Sequence, residues 1–214
     1  IDSGSTSTDV VILDKNQHII AGIILGSIAG LTRNRLPDRL IVFFTTLGTA
    51  IPSFVLATLL LLVFCLKLNL VPVWSADSPN YILPVIALSV YPMAYITRLT
   101  KTSMLDALNQ DYIRTAKAKG VAAHKVIFVH ALRNALIPVI TYVGPMVAYI
   151  LTGSMVVENI FTIGGLGSSF VTSITNRDYT TIMATTIFLA ILMVIANLLT
   201  DIAYKLVDPR ITLE

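Results

Sequence analysis

The sequence predicts an all-α fold, a polytopic bundle of transmembrane helices, and three observations lead to this prediction. Hydrophobic residues make up 55% of the 214 residues, whereas charged residues make up only 13%, about half the share typical of soluble domains. The apolar residues are gathered into runs long enough to cross a bilayer, which takes about 20 residues. Basic residues are concentrated in alternate loops between these runs.

Four apolar runs are long enough to span a membrane, and a fifth is shorter. The predicted spans lie near residues 40–66, 81–100, 126–156 and 180–206, and the short run occupies residues 19–31. Pro52 falls inside the first predicted span and is expected to kink it, because proline removes a helical hydrogen bond. Proline is tolerated in a membrane helix where neighbouring groups satisfy the freed carbonyl.

The distribution of lysine and arginine predicts how the chain is oriented. Twelve of these residues fall in the loop after the short apolar run, around residues 98–133 and in the C-terminal tail, whereas the alternate loops contain only Lys67 and Arg177. Loops on the cytosolic side are the ones enriched in lysine and arginine. We therefore expect the basic loops and the C-terminus to be cytosolic, with residues 71–80 and 158–179 outside.

Composition and motifs argue against several other functions. The net charge of +3 does not indicate nucleic-acid binding. The single Cys65 excludes an internal disulfide and a cysteine metal cluster. His124 and His130 are six residues apart, which is not the spacing of two metal ligands on one helical face. No serine has an accompanying acid–base set in the sequence, so we expect no catalysis, no cofactor and no metal.

Between the second and third predicted spans lies a polar, basic segment with helix-forming composition. Residues 109–120 predict a short helix that stops at Gly120, since glycine is the usual residue just past a helix end. Arg114 and Lys117 help to make the C-terminal half of this helix cationic, and a second helix is expected to begin near Ala122 and enter the next span. The segment is either a docking surface for a cytosolic partner or an ordinary solvated amphipathic loop.

Two runs in this segment carry a resemblance to a known family. Residues 114–121 read Arg-Thr-Ala-Lys-Ala-Lys-Gly-Val, and residues 130–138 read His-Ala-Leu-Arg-Asn-Ala-Leu-Ile-Pro. Together they resemble the cytosolic signature of ABC-transporter inner-membrane permeases, in the branch that serves dipeptides, oligopeptides and nickel. Further pieces fit that branch in order, at residues 47–54, 83–88, 98–104, 158–167 and 208–211. The resemblance covers about residues 23–211.

The resemblance implies the type I ABC importer permease fold, which normally has six spans, so this chain would lack the first span and part of the second. It implies that the basic segment forms a coupling helix seated in a cleft of the ATPase subunit. Residues 114–116 take the place of the Glu-Ala-Ala that names the signature, and Gly120 is its glycine. The implied contact residues are Arg114, Thr115, Ala116, Lys117 and Gly120.

The resemblance also implies the partners and the location of the chain. The partners would be ABC ATPase subunits, a homologous second permease subunit, an extracytoplasmic solute-binding protein and the lipid bilayer. The chain would be a multi-pass protein of the inner membrane and would itself be no enzyme. Its function would be that of a permease subunit in an ATP-driven importer of peptides or related small solutes.

The first 22 residues do not fit the permease pattern. They resemble the first phosphate loop of the activator ATPases of 2-hydroxyacyl-CoA dehydratases, with Asp2 and the turn at residues 4–6 as the matching elements, and they predict a β-hairpin. The second phosphate loop and the adenosine site that nucleotide binding requires have no counterpart downstream. We therefore expect a foreign-looking segment over residues 1–22 and a permease transmembrane domain over residues 23–211. The alternative function is a non-functional fusion of an ATPase-activator N-terminus with a truncated permease.

Overall fold

The computed structural model describes residues 3–75, 78–151 and 154–207, with side chains described for residues 17–75, 78–147, 150 and 154–202. Within these ranges the regular structure is entirely helical, so the all-α prediction is confirmed. The helices, numbered here in chain order, are α1 Ser3–Leu31, α2 Leu36–Ala50, α3 Ser53–Lys67, α4 Ile82–Leu108, α5 Asp111–Ala118, α6 Ala123–Ala135, α7 Ile137–Leu151, α8 Met155–Ile160, α9 Leu166–Thr175 and α10 Tyr179–Val207.

Two of the predicted spans are single long helices. Helices α4 and α10 are each long and apolar enough to cross a membrane, in agreement with the predictions at residues 81–100 and 180–206. Helix α4 continues to Leu108, past the expected end of its span, because a helix can continue beyond the apolar region for as long as its residues favour helix. Pro92 lies within α4 without ending it.

The other two predicted spans are pairs of helices with a bend between them. Helices α2 and α3 meet at 97°, and α6 and α7 meet at 45°. The sharper bend occurs at Ile51, which is extended with φ −84° and ψ 119°. Pro52 disfavours helical backbone at the residue before it and lacks an N–H. The predicted kink at Pro52 is therefore a nearly right-angled break between two helices.

The N-terminal segment is helical, so the prediction of a β-hairpin over the first 22 residues is wrong. Helix α1 begins at Ser3 and passes through residues 22 and 23 without interruption. Extending an existing helix by one residue costs much less than starting a new element, and the apolar run at residues 19–31 provides a helix to extend. Asp2, which was matched to a phosphate loop, lies outside the described residues.

Helix α1 packs closely on α4 through three glycines spaced four residues apart. A Cβ placed on Gly22 would lie 3.0 Å from the Ile96 side chain, and one on Gly26 would lie 2.5 Å from the Thr97 carbonyl oxygen. Gly30 faces Met104 in the same way. Small residues are typical of membrane helix interfaces because van der Waals packing, rather than the hydrophobic effect, holds the helices together there. Helix α4 is thereby enclosed on one side by α1.

Helix α10 is the more apolar of the two single-helix spans and is largely exposed. It contacts α7 where Gly144 packs directly against the Thr200 side chain, and Ala196 is the one buried residue among the described side chains of α10. Large apolar side chains such as Ile187, Val194 and Leu198 remain about half exposed. A continuous exposed apolar surface is expected on a helix that faces lipid or another subunit.

Candidate functional site: helix α5 and its supports

Helix α5 has one buried side and one basic, exposed side. Ile113 is completely buried and Ala116 is 7% exposed. The other residues of the helix are exposed, and they include Arg114, Thr115 and Lys117. Residues three apart lie on the same face of a helix, so the buried pair forms one edge and the cations project away from it.

The buried side of α5 sits in a cluster of small and medium apolar residues, here named the Met104 cluster. Its buried members are Met104 and Ala107 of α4, Ile113 and Ala116 of α5, and Val126, Ala131 and Ala135 of α6. Four of these seven residues are alanines, which allow the three helices to approach closely. The Met104 cluster thus connects α5 directly to the ends of two predicted spans, and a displacement of α5 would have to move α4 and α6 or disrupt the cluster.

Helix α5 ends in a well-formed glycine stop, as the sequence predicts. Gly120 has φ +73°, a backbone conformation that glycine adopts without the penalty of a Cβ. The Gly120 N–H donates to the Lys117 carbonyl at 3.0 Å, and the Val121 N–H donates to the Ala116 carbonyl at 3.1 Å. This pair of bonds is the Schellman arrangement. It satisfies two carbonyls at the end of α5 and turns the chain toward α6.

A side-chain hydrogen bond also joins α5 to α6. The Asn134 side-chain amide donates to the Tyr112 hydroxyl at 3.0 Å and to the His130 carbonyl oxygen at 2.9 Å. The ion pair on the outer side is weaker, since the Arg114 guanidinium lies 3.5 Å from the Asp111 carboxylate and both side chains are exposed. An exposed pair of this kind contributes little to stability. The cation of Arg114 is therefore accessible to a partner.

A second polar link lies on α4, three residues before Met104. The Lys101 ammonium is 2.5 Å from a carboxylate oxygen of Asp38, in the first turn of α2. The other carboxylate oxygen of Asp38 accepts the Asn34 N–H at 2.8 Å. The Asp38 side chain is only 6% exposed and that of Lys101 is 21% exposed. This ion pair holds the loop that connects α1 and α2 against α4.

Four of the five predicted contact residues lie where a partner could reach them. Arg114, Thr115, Lys117 and Gly120 are exposed. The fifth, Ala116, is buried in the Met104 cluster, so it packs within this chain and does not face outward. The family resemblance implied Ala116 as a contact residue, but a small residue that would fit a partner's cleft equally fits the space between two helices of the same chain.

At the other end of the molecule, α8 and α9 form a compact hairpin of short helices. A Glu158 carboxylate oxygen accepts the Ser168 N–H at 2.8 Å, at the start of α9, where a negative charge is favourable. Val157 and Phe161 are both 2% exposed and pack in a cluster with Ala57 and Cys65 of α3 and with Leu83 and Ala87 of α4. The segment is therefore packed into the fold.

Comparison with known proteins agrees with this architecture. Residues 22–213 match the family model described as the binding-protein-dependent transport system inner membrane component. The chain is 53% identical over 197 residues to the dipeptide transport system permease protein DppB of Bacillus subtilis (strain 168), with 92% of this chain and 64% of that protein covered. It is 41% identical over 196 residues to the oligopeptide transport system permease protein OppB of Haemophilus influenzae, covering 90% and 64% of the two chains.

A third relative is the glutathione transport system permease protein GsiC of Escherichia coli (strain K12), 41% identical over 194 residues, with 90% of this chain and 63% of that protein covered. The chain thus spans a little under two thirds of the length of these three relatives. None of these matches supports a fusion with an ATPase activator. The family match and the apolar helices together identify the chain as an integral inner-membrane protein that belongs to the family of binding-protein-dependent transport system inner membrane components.

Proposed function

We propose that this chain is the transmembrane permease subunit of an ATP-driven importer of peptides or related small solutes. In this proposal α5 is the coupling helix, and closure of the ATPase subunits moves α5 and switches the spans between inward-open and outward-open states. Such alternation of two rigid arrangements around a fixed site is the usual mechanism of transporters. The permease unit is residues 23–211, and the C-terminus is cytosolic.

The observation that carries the proposal is the division of α5 into a buried and a basic side. The buried side is held by the Met104 cluster, so force applied to α5 reaches α4 and α6. The exposed side presents Arg114 and Lys117, which suit an acidic groove on a partner.

The partners follow from the same assignment. ABC ATPase subunits would seat α5 and supply the energy of ATP hydrolysis, which this chain does not perform. A homologous second permease subunit would complete the pathway and cover part of the exposed apolar surface, and the lipid bilayer would cover the rest. An extracytoplasmic solute-binding protein would deliver the substrate. The relatives described above are named for dipeptide, oligopeptide and glutathione transport, which supports peptides as the main substrate class.

The test is charge reversal on the exposed side of α5 in the full-length protein, assembled with its partners in proteoliposomes. We expect Lys117→Glu to abolish ATP-driven peptide uptake while membrane insertion remains normal. A carboxylate at position 117 would be repelled by an acidic groove on the ATPase subunit. Lys67→Glu is the matched control, an exposed lysine at the end of α3, and should leave uptake unchanged.

A crosslink gives an independent test of the contact. A photoreactive group at Thr115, which is exposed, should react with the ATPase subunit in the assembled complex. Ala116 is unsuitable for this purpose because a group placed there would disrupt the Met104 cluster. A Thr115 probe that never crosslinks to the ATPase in a transport-competent complex would disprove the coupling assignment.

A further inference from the structure

Helix α4 carries a stripe of exposed polar residues along one face. Its members are Tyr91, Tyr95, Arg98, Thr102 and Asp106, and each of them is exposed. Their spacings of four, three, four and four residues place them in line on a helix. Apolar and small residues occupy the buried faces of α4, where Ala94 and Ile96 are at most 3% exposed. The stripe is therefore the exposed polar face of a helix that is otherwise well packed, and Thr102 and Asp106 extend it beyond residue 100, the predicted end of the span.

A second helix contributes a third tyrosine to this face. The rings of Tyr95 and Tyr142, the latter on α7, are stacked with centroids 4.3 Å apart, and the rings of Tyr91 and Tyr95 lie 6.4 Å apart. Among the residues that the structure describes, no hydrogen bond is made by any of the three hydroxyl groups. A hydroxyl without a partner is costly in hydrocarbon, so this face does not suit lipid tails.

A cation extends the polar character of this face. Three residues beyond Tyr95, the Arg98 guanidinium has an exposed contact of 3.4 Å with the Thr49 hydroxyl. Arg98 lies at the cytosolic end of the predicted span at residues 81–100, where its guanidinium faces water or a polar partner rather than lipid. Three tyrosine hydroxyls and a guanidinium therefore lie along one face, which runs from within the span to its cytosolic end.

From this arrangement we infer that the face formed by Tyr91, Tyr95, Tyr142 and Arg98 lines the path of the peptide substrate. The inference rests on the proposed function and specifies its pathway. A tyrosine hydroxyl both donates and accepts hydrogen bonds, so it can serve the N–H and C=O groups of any peptide without reading its sequence. The rings pack against side chains of varied shape, and the Arg98 guanidinium attracts the C-terminal carboxylate.

Photocrosslinking distinguishes the peptide from the other possible occupant, the second permease subunit. The full-length protein carries p-benzoylphenylalanine in place of Tyr95 and is assembled with its partners in proteoliposomes. Tritiated alanyl-alanine is the probe. We expect the label on the chain with the probe at position 95 and not with the probe at Tyr179, which is 71% exposed at the start of α10. A crosslink from position 95 to the second permease, without tritium, would overturn the assignment.

Uptake kinetics give the second measurement. Tyr95→Phe removes the hydroxyl and keeps the ring, and we expect it to raise the KM for alanyl-alanine about three- to tenfold, as for the loss of one hydrogen bond. Tyr179→Phe is the matched control and should leave the KM unchanged. If Tyr95→Phe behaves like this control, the hydroxyls do not contact the peptide and the inference is wrong.

Arg98→Gln tests the carboxylate contact through the ratio of uptake of alanyl-alanine to uptake of its C-terminal amide. The binding protein is the same in every assay, so any change in this ratio between wild type and variant reports on the permease. We expect the variant to lose part of the preference for the free carboxylate, and an unchanged ratio would remove Arg98 from the pathway. Failure of the wild-type complex to take up either peptide would instead contradict the proposed function, and with it this inference.

Discussion

Gly26 determines how closely α1 approaches α4. A Cβ at this position would lie 2.5 Å from the Thr97 carbonyl oxygen and 2.6 Å from the Thr100 Cβ, and neither backbone nor a β-branched side chain can move aside easily. We expect Gly26→Ala to destabilise the protein by about 1–3 kcal/mol, the usual cost of overpacking. Thermal unfolding in detergent measures the effect.

The matched control for that substitution is Ile24→Ala on the same helix, which introduces the same residue at a position that is 52% exposed. We expect a smaller loss of stability from it in detergent, because an exposed side chain leaves little cavity when it is shortened. Equal effects of the two substitutions would mean that α1 and α4 are not in contact at Gly26.

The buried carboxylate of Asp38 depends on a single close cation. Lys101→Met keeps the length of the side chain and removes its charge, which leaves Asp38 buried without its ion-pair partner. We expect a loss of about 2–3 kcal/mol, at or below the low end for a buried pair because Lys101 is partly exposed. Asp38→Asn combined with Lys101→Met should recover part of this loss, and a double-mutant cycle by thermal unfolding measures the coupling. Strictly additive effects would show that the two side chains do not interact.

At the scale of the element, the end of α5 depends on backbone conformation rather than on space. No atom lies within 4 Å of a Cβ placed on Gly120, yet its φ is +73°. We therefore expect Gly120→Val to weaken the stop by about 1–2 kcal/mol, the penalty for a left-handed backbone, and Gly120→Asn to be milder. Hydrogen exchange of the amides in α5 is the measurement. Equal exchange in the two variants would argue against a left-handed conformation.

Helix α10 begins with an acid-sensitive cap. Asp178 accepts hydrogen bonds from the Thr181 hydroxyl at 2.6 Å and from the Thr181 N–H at 3.1 Å, and these bonds lower the pKa of the Asp178 carboxyl below its ordinary value. Because the folded pKa is the lower one, the stabilisation is present above the unfolded pKa of about 3.9 and is lost as the pH falls through the folded pKa.

Because the pKa of Asp178 is lower in the folded protein, the first turn of α10 is expected to fray below about pH 4. Hydrogen exchange between pH 6 and pH 3, corrected for the intrinsic rate, should therefore increase in that turn. Asp178→Asn is the control, since asparagine caps a helix about as well but does not titrate. A similar increase in this variant would assign the fraying to another group.

The helices themselves were largely predictable, because long apolar runs and proline positions are local properties of the sequence. The glycine stop at Gly120 was predictable for the same reason. The packing role of Ala116 was not, since one alanine suits both a partner's groove and the chain's own Met104 cluster. The Asp38–Lys101 pair was also missed, because its members are 63 positions apart in sequence and only the packing of α2 on α4 brings them together.

At the scale of the whole molecule, the prediction of an N-terminal β-hairpin was wrong because a short motif resemblance was given more weight than the helix that follows it. The 97° angle between α2 and α3 could not be read from Pro52 either. Proline specifies that the helix breaks, whereas the direction of the second helix depends on its contacts, in particular those of Ala57 and Cys65 with α4 and α8. Such contacts are not visible in a hydropathy pattern.

The orientation of the chain is the remaining prediction at this scale. Helix α4 has 27 residues, which at about 1.5 Å each give about 40 Å, more than the roughly 30 Å of hydrocarbon in a bilayer. The bent pair α6 and α7 then returns the chain across the membrane. Asn109 should therefore be cytosolic and Asn176, at the end of α9, should be outside. Their placement follows from the twelve basic residues on one side and the two on the other, because cytosolic loops are enriched in lysine and arginine.

Cysteine labelling measures this orientation directly. Asn109 and Asn176 are both exposed, so a cysteine at either position is accessible to a membrane-impermeant maleimide. We expect Asn176→Cys to react in intact spheroplasts and Asn109→Cys to react only after the membrane is opened. The native Cys65 is 5% exposed, so it should contribute little background, and Cys65→Ser provides the check. Labelling of both positions from the same side would mean that α6 and α7 form a re-entrant hairpin instead of a bent span, and the reverse pattern would place α5 outside, beyond the reach of an ATPase.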